Sequence, residues 1–147
     1  TKICLSLAEK IKKEFTDFNL ILSPAMGGVI IGYEIGRILK KETIFSERVN
    51  NEFQLRRDFK INKDSKVLII EDVITTGKSS LECSKLVSSL NATIVGYACI
   101  IDRSNNKSLI KDKIVSQIEL NIPTFTEDDL PEKLLKIKAV KPGSRNL

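Results

Sequence analysis

The sequence predicts an α/β fold, a central parallel β-sheet with helices on both faces, built by residues 1–147 as a single domain. Near-continuous apolar runs such as "KVLIIE" and "TIVGYACII" read as strands buried on both faces, not as strands with one wet side. These runs alternate with amphipathic helical patterns, the arrangement that covers a parallel sheet. Chemistry-bearing segments also recur just past strand ends, where open α/β sheets bind ligands.

Each element follows from spacing. Cys4, Leu7, Ala8, Ile11 and Phe15 recur at helical intervals and predict a first helix. "NLILS", residues 19–23, is a short buried strand that stops at Pro24. "AMGG" reads as a turn, after which Ile31, Ile35, Ile38 and Leu39 mark a second helix. "ETIFSE" is a further short strand, and the polar stretch 48–59, with Phe53 and Leu55 alternating, suits a mobile loop or an edge hairpin. "KVLIIE" from Lys66 is the clearest strand, with a turn and then a helix from about Lys78 to Leu90. "TIVGYACII" follows and ends at Asp102; "IVSQIEL" is a candidate further strand. Thr126 to Asp129 resembles a capping box, but Pro131 keeps any helix there short. The tail "KPGSRNL" reads as irregular.

Composition then removes whole classes of chemistry. At 41 % hydrophobic and 29 % charged the chain can bury an ordinary core. No apolar run is long enough to span a membrane, so none is expected as a partner. The net charge of +5 admits an anionic ligand. Yet the lysines are dispersed, with no tryptophan and only two tyrosines, so a nucleic-acid groove with stacking aromatics is not expected. Cys4, Cys83 and Cys99 are odd in number and form no CxxC pair, which points to reduced thiols in the cytoplasm. Cys83 falls in a helical stripe with Leu86, Val87 and Leu90, as a core residue would. There is no histidine, which excludes Ser-His-Asp, Cys-His and His-ligated metal chemistry together.

The informative stretch is "EDVITTGKSS", residues 71–80. It ends like a P-loop, but the position that must be glycine is Asp72. Thr75, Thr76, Gly77, Lys78 and Ser79 lie between a strand and a helix start, where backbone N–H groups, hydroxyls and the helix dipole suit a phosphate. A Thr/Ser-rich N-cap explains them as well. Glu71 and Asp72 favour the ligand, because carboxylates at the end of an apolar strand need partners. Ribose hydroxyls donate to carboxylates, and Mg²⁺ bridges diol and phosphate oxygens. Carboxylates first and phosphate donors next match a sugar 5-phosphate.

"VLIIEDVITTGKSS" resembles the phosphoribosyl-pyrophosphate (PRPP) motif of type I phosphoribosyltransferases. With "SPAMGGVIIGYEIGR", "FQLRRDF", "CIIDRS" and "KPGSR" added, the chain is similar to the orotate phosphoribosyltransferases over nearly its whole length. The resemblance implies that Glu71 and Asp72 hold the ribose hydroxyls and that the stretch through Val73, Ile74, Thr75, Thr76, Gly77, Lys78 and Ser79 binds PRPP. It implies that Ala25, Met26, Gly27 and Gly28 form a pyrophosphate loop and that Thr75 and Arg103 contact orotate. A strand-end ion pair with Asp102 is the other account of Arg103. Residues 46–59 would be a flexible catalytic loop, with Arg48, Arg56 and Arg57, alongside Asp72, as candidate catalytic groups. Many orotate enzymes carry Lys and His in this loop; without histidine the leaving-group role falls to arginines or to a partner subunit.

Family members also carry an N-terminal segment that helps cover the base. This sequence opens at the helix that would follow it, as expected of a fragment. The same resemblance implies Mg²⁺ held on substrate oxygens and by no protein ligands alone, a homodimer, and transfer of phosphoribose to orotate for pyrimidine synthesis. The rival readings are a purine-base phosphoribosyltransferase and a PRPP-sensing regulator on the same fold.

Overall fold

The computed structural model describes residues 1–123, 125–138 and 140. The expected helices form as α1 (Lys2–Glu14), α2 (Gly27–Leu39) and α3 (Lys78–Ser89), with a short α4 (Glu132–Leu135) near the end. The strands are β1 (Leu20–Pro24), β2 (Glu42–Val49), β3 (Glu52–Leu55), β4 (Lys66–Ile74), β5 (Thr93–Asp102) and β6 (Ile114–Glu119). Among the described residues they join in one sheet of order β3-β2-β1-β4-β5-β6. The β1–β2, β1–β4, β4–β5 and β5–β6 pairs are parallel.

The sheet is not wholly parallel, because β3 runs antiparallel to β2. Of the two readings of residues 48–59, the edge hairpin forms. Asn50 and Asn51 both adopt positive φ, 49° and 66°, which matches the right-handed twist of the flanking strands and closes a two-residue turn. "AMGG" is not all turn either: α2 begins at Gly27. Thr126 precedes a 3₁₀ turn (Glu127–Asp129) but makes no side-chain cap hydrogen bond, so the capping box does not form. "KPGSR" lies outside the described residues.

The pleat of β4 sorts the core. Leu68 and Ile70 face α1 and α2, while Val67 and Ile69 face α3, each set within its own buried cluster. Helix α2 reaches the sheet closely because Gly28, Gly32 and Gly36 share its buried face with Ile35 and Leu39. A Cβ at Gly32 would stand 2.0 Å from Ser23 Oγ, and one at Gly36 would stand 1.8 Å from Thr43 Oγ1. The expected stripe is therefore partly rotated: Ile31 and Ile38 are only partly buried, and glycines take the innermost places. On α3, Cys83 and Val87 are buried as expected, but Ser80 and Ser84 complete that face and Leu90 is exposed.

Candidate active site

From β1 the chain runs out through Ala25 into α2 on one face of the sheet; from β4 it runs through residues 75–77 into α3 on the other face. The strand order changes direction between β1 and β4, so a crevice opens outside their carboxyl ends. The predicted pyrophosphate loop and phosphate loop flank it. The Ala25–Met26 peptide is cis, and Ala25 N–H donates to Ser46 O at 2.8 Å, anchoring the first loop to β2.

The acidic residues do not sit in the turn. β4 continues to Ile74, because β5 pairs with it as far as Asp102. Adjacent strand residues point to opposite faces, so the carboxylates part company. Glu71 turns toward α3, where it is buried and accepts a hydrogen bond from Ser80 Oγ. Asp72 turns toward α2: a Cβ at Gly27 would lie 2.2 Å from its Oδ2. The absence of a side chain at Gly27 lets the start of α2 approach Asp72. The repulsion expected of neighbouring carboxylates is relieved by the strand itself.

Only Thr75 to Gly77 remain as loop. Gly77 takes φ +78°, in the left-handed region, and a Cβ there would press on Ser108 Oγ and Ile110. Thr76 Oγ1 accepts from Lys78 N at 3.3 Å. Among the described residues, the N–H groups of Thr75, Thr76 and Gly77 donate to no protein oxygen. Those amides, with the α3 N-terminus, line a cavity of about 310 Å³ together with Glu71, Val73, Ile74, Lys78 and Ser79. Donors at a helix start suit an anionic oxygen cluster.

Arg103 follows β5, its N–H donating to Ile74 O at 2.8 Å, which ties the β5 end to the end of β4. Asp102 does not pair with it. Asp102 Oδ1 instead accepts from Ser104 N at 2.7 Å. Arg103 Nε is buried and has no hydrogen-bond partner among the described residues. Leaving such a donor unsatisfied is costly, so it marks a place for an acceptor.

A phosphoribosyl transferase domain model matches residues 1–128. The chain belongs to the phosphoribosyl transferase family. Orotate phosphoribosyltransferase of Maricaulis maris (strain MCS10) is 40 % identical over 147 residues, covering 99 % of this chain and 76 % of that one. The enzyme of the same name from Parvibaculum lavamentivorans is 42 % identical over the same shares. Among solved structures, adenine phosphoribosyltransferase from Thermoanaerobacter pseudethanolicus superposes with a TM-score of 0.69 at 19 % identity, covering 81 % of this chain and 79 % of that one. Orotate phosphoribosyltransferase from Aeropyrum pernix gives 0.68 at 18 %, covering 81 % and 70 %. Adenine and orotate enzymes superpose equally well, so the backbone identifies the fold and not the base.

In this phosphoribosyltransferase the remaining predicted residues fall apart by position. Arg48 lines the cavity. Arg57 is paired with Glu47 at 3.2 Å and lies over the Phe45 ring. Arg56 is exposed and makes no ion pair among the described residues. Neither Arg56 nor Arg57 lines the cavity. Ile74, predicted to bind PRPP, is buried in the core, which leaves its backbone as the only group it offers. Two lining residues escaped the sequence reading, Asn51 and Glu82. Glu82 stands three and four residues after Ser79 and Lys78, the spacing that stacks side chains on one helical face. Asn51 belongs to an Asn-Asn pair, and asparagine tolerates the positive φ that a two-residue hairpin turn needs at both positions.

Proposed function

We propose that this phosphoribosyltransferase transfers the 5-phosphoribosyl group of PRPP to orotate, giving orotidine 5-phosphate and pyrophosphate. The observation that carries the choice of base is Arg103: a buried guanidinium nitrogen without a partner among the described residues, just past the end of β5, with Asp102 already occupied. Orotate offers a carboxylate that such a group grips with parallel hydrogen bonds; adenine and hypoxanthine offer none. The orotate enzymes that share about two-fifths of its residues support the same base.

On this reading Thr75 to Ser79 hold the 5-phosphate, Glu71 and Asp72 take the ribose hydroxyls from opposite faces of β4, and Ala25 to Gly28 receive pyrophosphate. The bond from C1 to pyrophosphate loosens first, and the orotate ring nitrogen traps the cationic carbon. Orotate reacts as its anion, so the protein moves little charge as protons; it positions the reactants and stabilises charge. That suits a chain without histidine. The arginines that follow β3, Arg57 and above all Arg56, which is exposed and makes no ion pair among the described residues, are the candidates to meet the departing pyrophosphate.

Among the described residues no three metal-ligating side chains converge, while hard carboxylate oxygens stand on both sides of β4. Those donors fit Mg²⁺ carried mainly on substrate oxygens, with Glu71 and Asp72 nearby; bound there, it would neutralise pyrophosphate charge. The reading further includes a homodimer and a cytoplasmic setting, the latter supported by three free, buried cysteines. No described helix is long and apolar enough to cross a membrane.

The assay is the loss of orotate absorbance on adding PRPP and Mg²⁺, with adenine and hypoxanthine tried in its place. Orotate should turn over and the purines should not. Arg103→Ala should raise the KM for orotate by about tenfold or more, the scale of one lost charge-assisted hydrogen bond. Purine turnover without orotate turnover would reject the base. PRPP binding with no turnover at all would favour the sensor.

A further inference from the structure

A carboxylate lining a phosphate cavity is a paradox, and Glu82 is such a group. Alone it would repel a phosphate dianion across a partly water-excluded space. It is not alone. Glu82 Oε2 accepts from the Arg48 guanidinium, and both side chains are about one-quarter exposed, so the pair is less screened than a surface one. Arg48 is fixed from other sides too. Its Nη1 donates to Asn51 O at 2.6 Å, and its guanidinium carbon lies 4.3 Å from the Phe53 ring centroid. The charged side chains of the cavity are Arg48 and Lys78 against Glu71 and Glu82. Glu71 is engaged toward Ser80. What remains is an arginine braced by the hairpin turn, an aromatic face and an α3 carboxylate, lining the cavity that the 75–77 loop borders.

We propose that Arg48 is a ligand for the 5-phosphate, and that Glu82 is the positioning residue that holds it there. This departs from the leaving-group role that its place in the chain first implied, because the cavity it lines is the one at the α3 N-terminus. Bracing lowers the ordering cost of binding: an arginine already held in place loses less side-chain freedom when phosphate arrives. The inference rests on the phosphoribose reading of the cavity, but it does not require orotate to be the base.

The test measures binding of ribose 5-phosphate and of pyrophosphate separately, by calorimetry on the whole chain, for wild type, Arg48→Ala, Glu82→Gln and the double variant. Arg48→Ala should weaken ribose 5-phosphate by about tenfold or more and leave pyrophosphate unchanged. Glu82→Gln keeps the side-chain shape and should weaken ribose 5-phosphate several-fold, with no further effect once Arg48 is alanine. Thermal midpoints check that each variant is folded. Loss of pyrophosphate binding alone in Arg48→Ala would return that residue to the leaving group and overturn the proposal. Tighter ribose 5-phosphate binding in Glu82→Gln, or effects that simply add in the double variant, would overturn the role of Glu82. A protein that binds ribose 5-phosphate in this pattern yet never consumes orotate would reject the substrate reading and leave this one standing.

Discussion

Gly27 and Gly32 occupy the same helix but answer to different neighbours. At Gly27 a methyl group would meet the end of the Asp72 side chain, which can swing away. At Gly32 it would meet both Oγ and Cβ of Ser23, at 2.0 and 3.0 Å, inside the core, where nothing can yield cheaply. Gly27→Ala should therefore keep its urea midpoint close to wild type while the KM for PRPP rises several-fold, because Asp72 is displaced from the crevice. Gly32→Ala should instead lose about 1–3 kcal/mol of stability, the usual cost of overpacking. Equal destabilisation by both, with PRPP affinity untouched in Gly27→Ala, would show that Asp72 and Gly27 form a structural contact and nothing more.

At the level of elements, the β2–β3 hairpin holds Arg48 through the carbonyl of Asn51. Its turn needs positive φ at both Asn50 and Asn51, a conformation asparagine tolerates and β-branched residues resist. Asn51→Gly should leave the hairpin intact and raise the unfolding free energy slightly. Asn51→Val should cost about 1–2 kcal/mol and weaken ribose 5-phosphate binding as the turn opens. Urea unfolding and calorimetry on the pair decide it; a Val variant with unchanged stability would mean the turn is not the register-setting feature. The hairpin was half legible in advance. Alternating Phe53 and Leu55 announced a strand, but pairing with β2 depends on twist and on Phe53 reaching the α3-side cluster. The arginines that follow gave no local sign of which would face inward.

For the molecule as a whole, burial couples the core to pH. Cys83 and Cys99 lie in the α3-side cluster, and desolvation pushes both thiols up from 9.0 to about 12. Burial raises the Tyr97 phenol in the same direction. A raised folded pKa means that the folded protein holds its proton more tightly than the unfolded chain. The stabilisation is complete below about 9 and is lost as pH climbs toward 12. Unfolding free energy should thus be flat from pH 7 to 8.5 and fall beyond pH 9, by at most about 1.4 kcal/mol per pH unit for each thiol. Cys99→Ala should make that decline shallower in a urea series. A rise in stability across the same range would contradict the burial of these thiols.

The order of strands and helices, the absence of histidine chemistry, and a strand-to-helix turn ahead of Lys78 were all legible in the sequence alone. Those features live in local period and composition, and local forces suffice to express them. It misjudged what depends on a neighbour distant in the chain. The strand from Lys66 reads as ending at Glu71, yet pairing with β5 draws β4 out to Ile74 and sends Glu71 and Asp72 to opposite faces. Gly32 and Gly36 of α2 carry no local signal, and only their close approach to Ser23 and Thr43 gives them their purpose. Arg48 and Glu82 are 34 residues apart, and only the packing of α3 against the hairpin side of the sheet makes them a pair. Tertiary structure decided which charges meet, because an ion pair depends on distance in space and leaves no period in the chain.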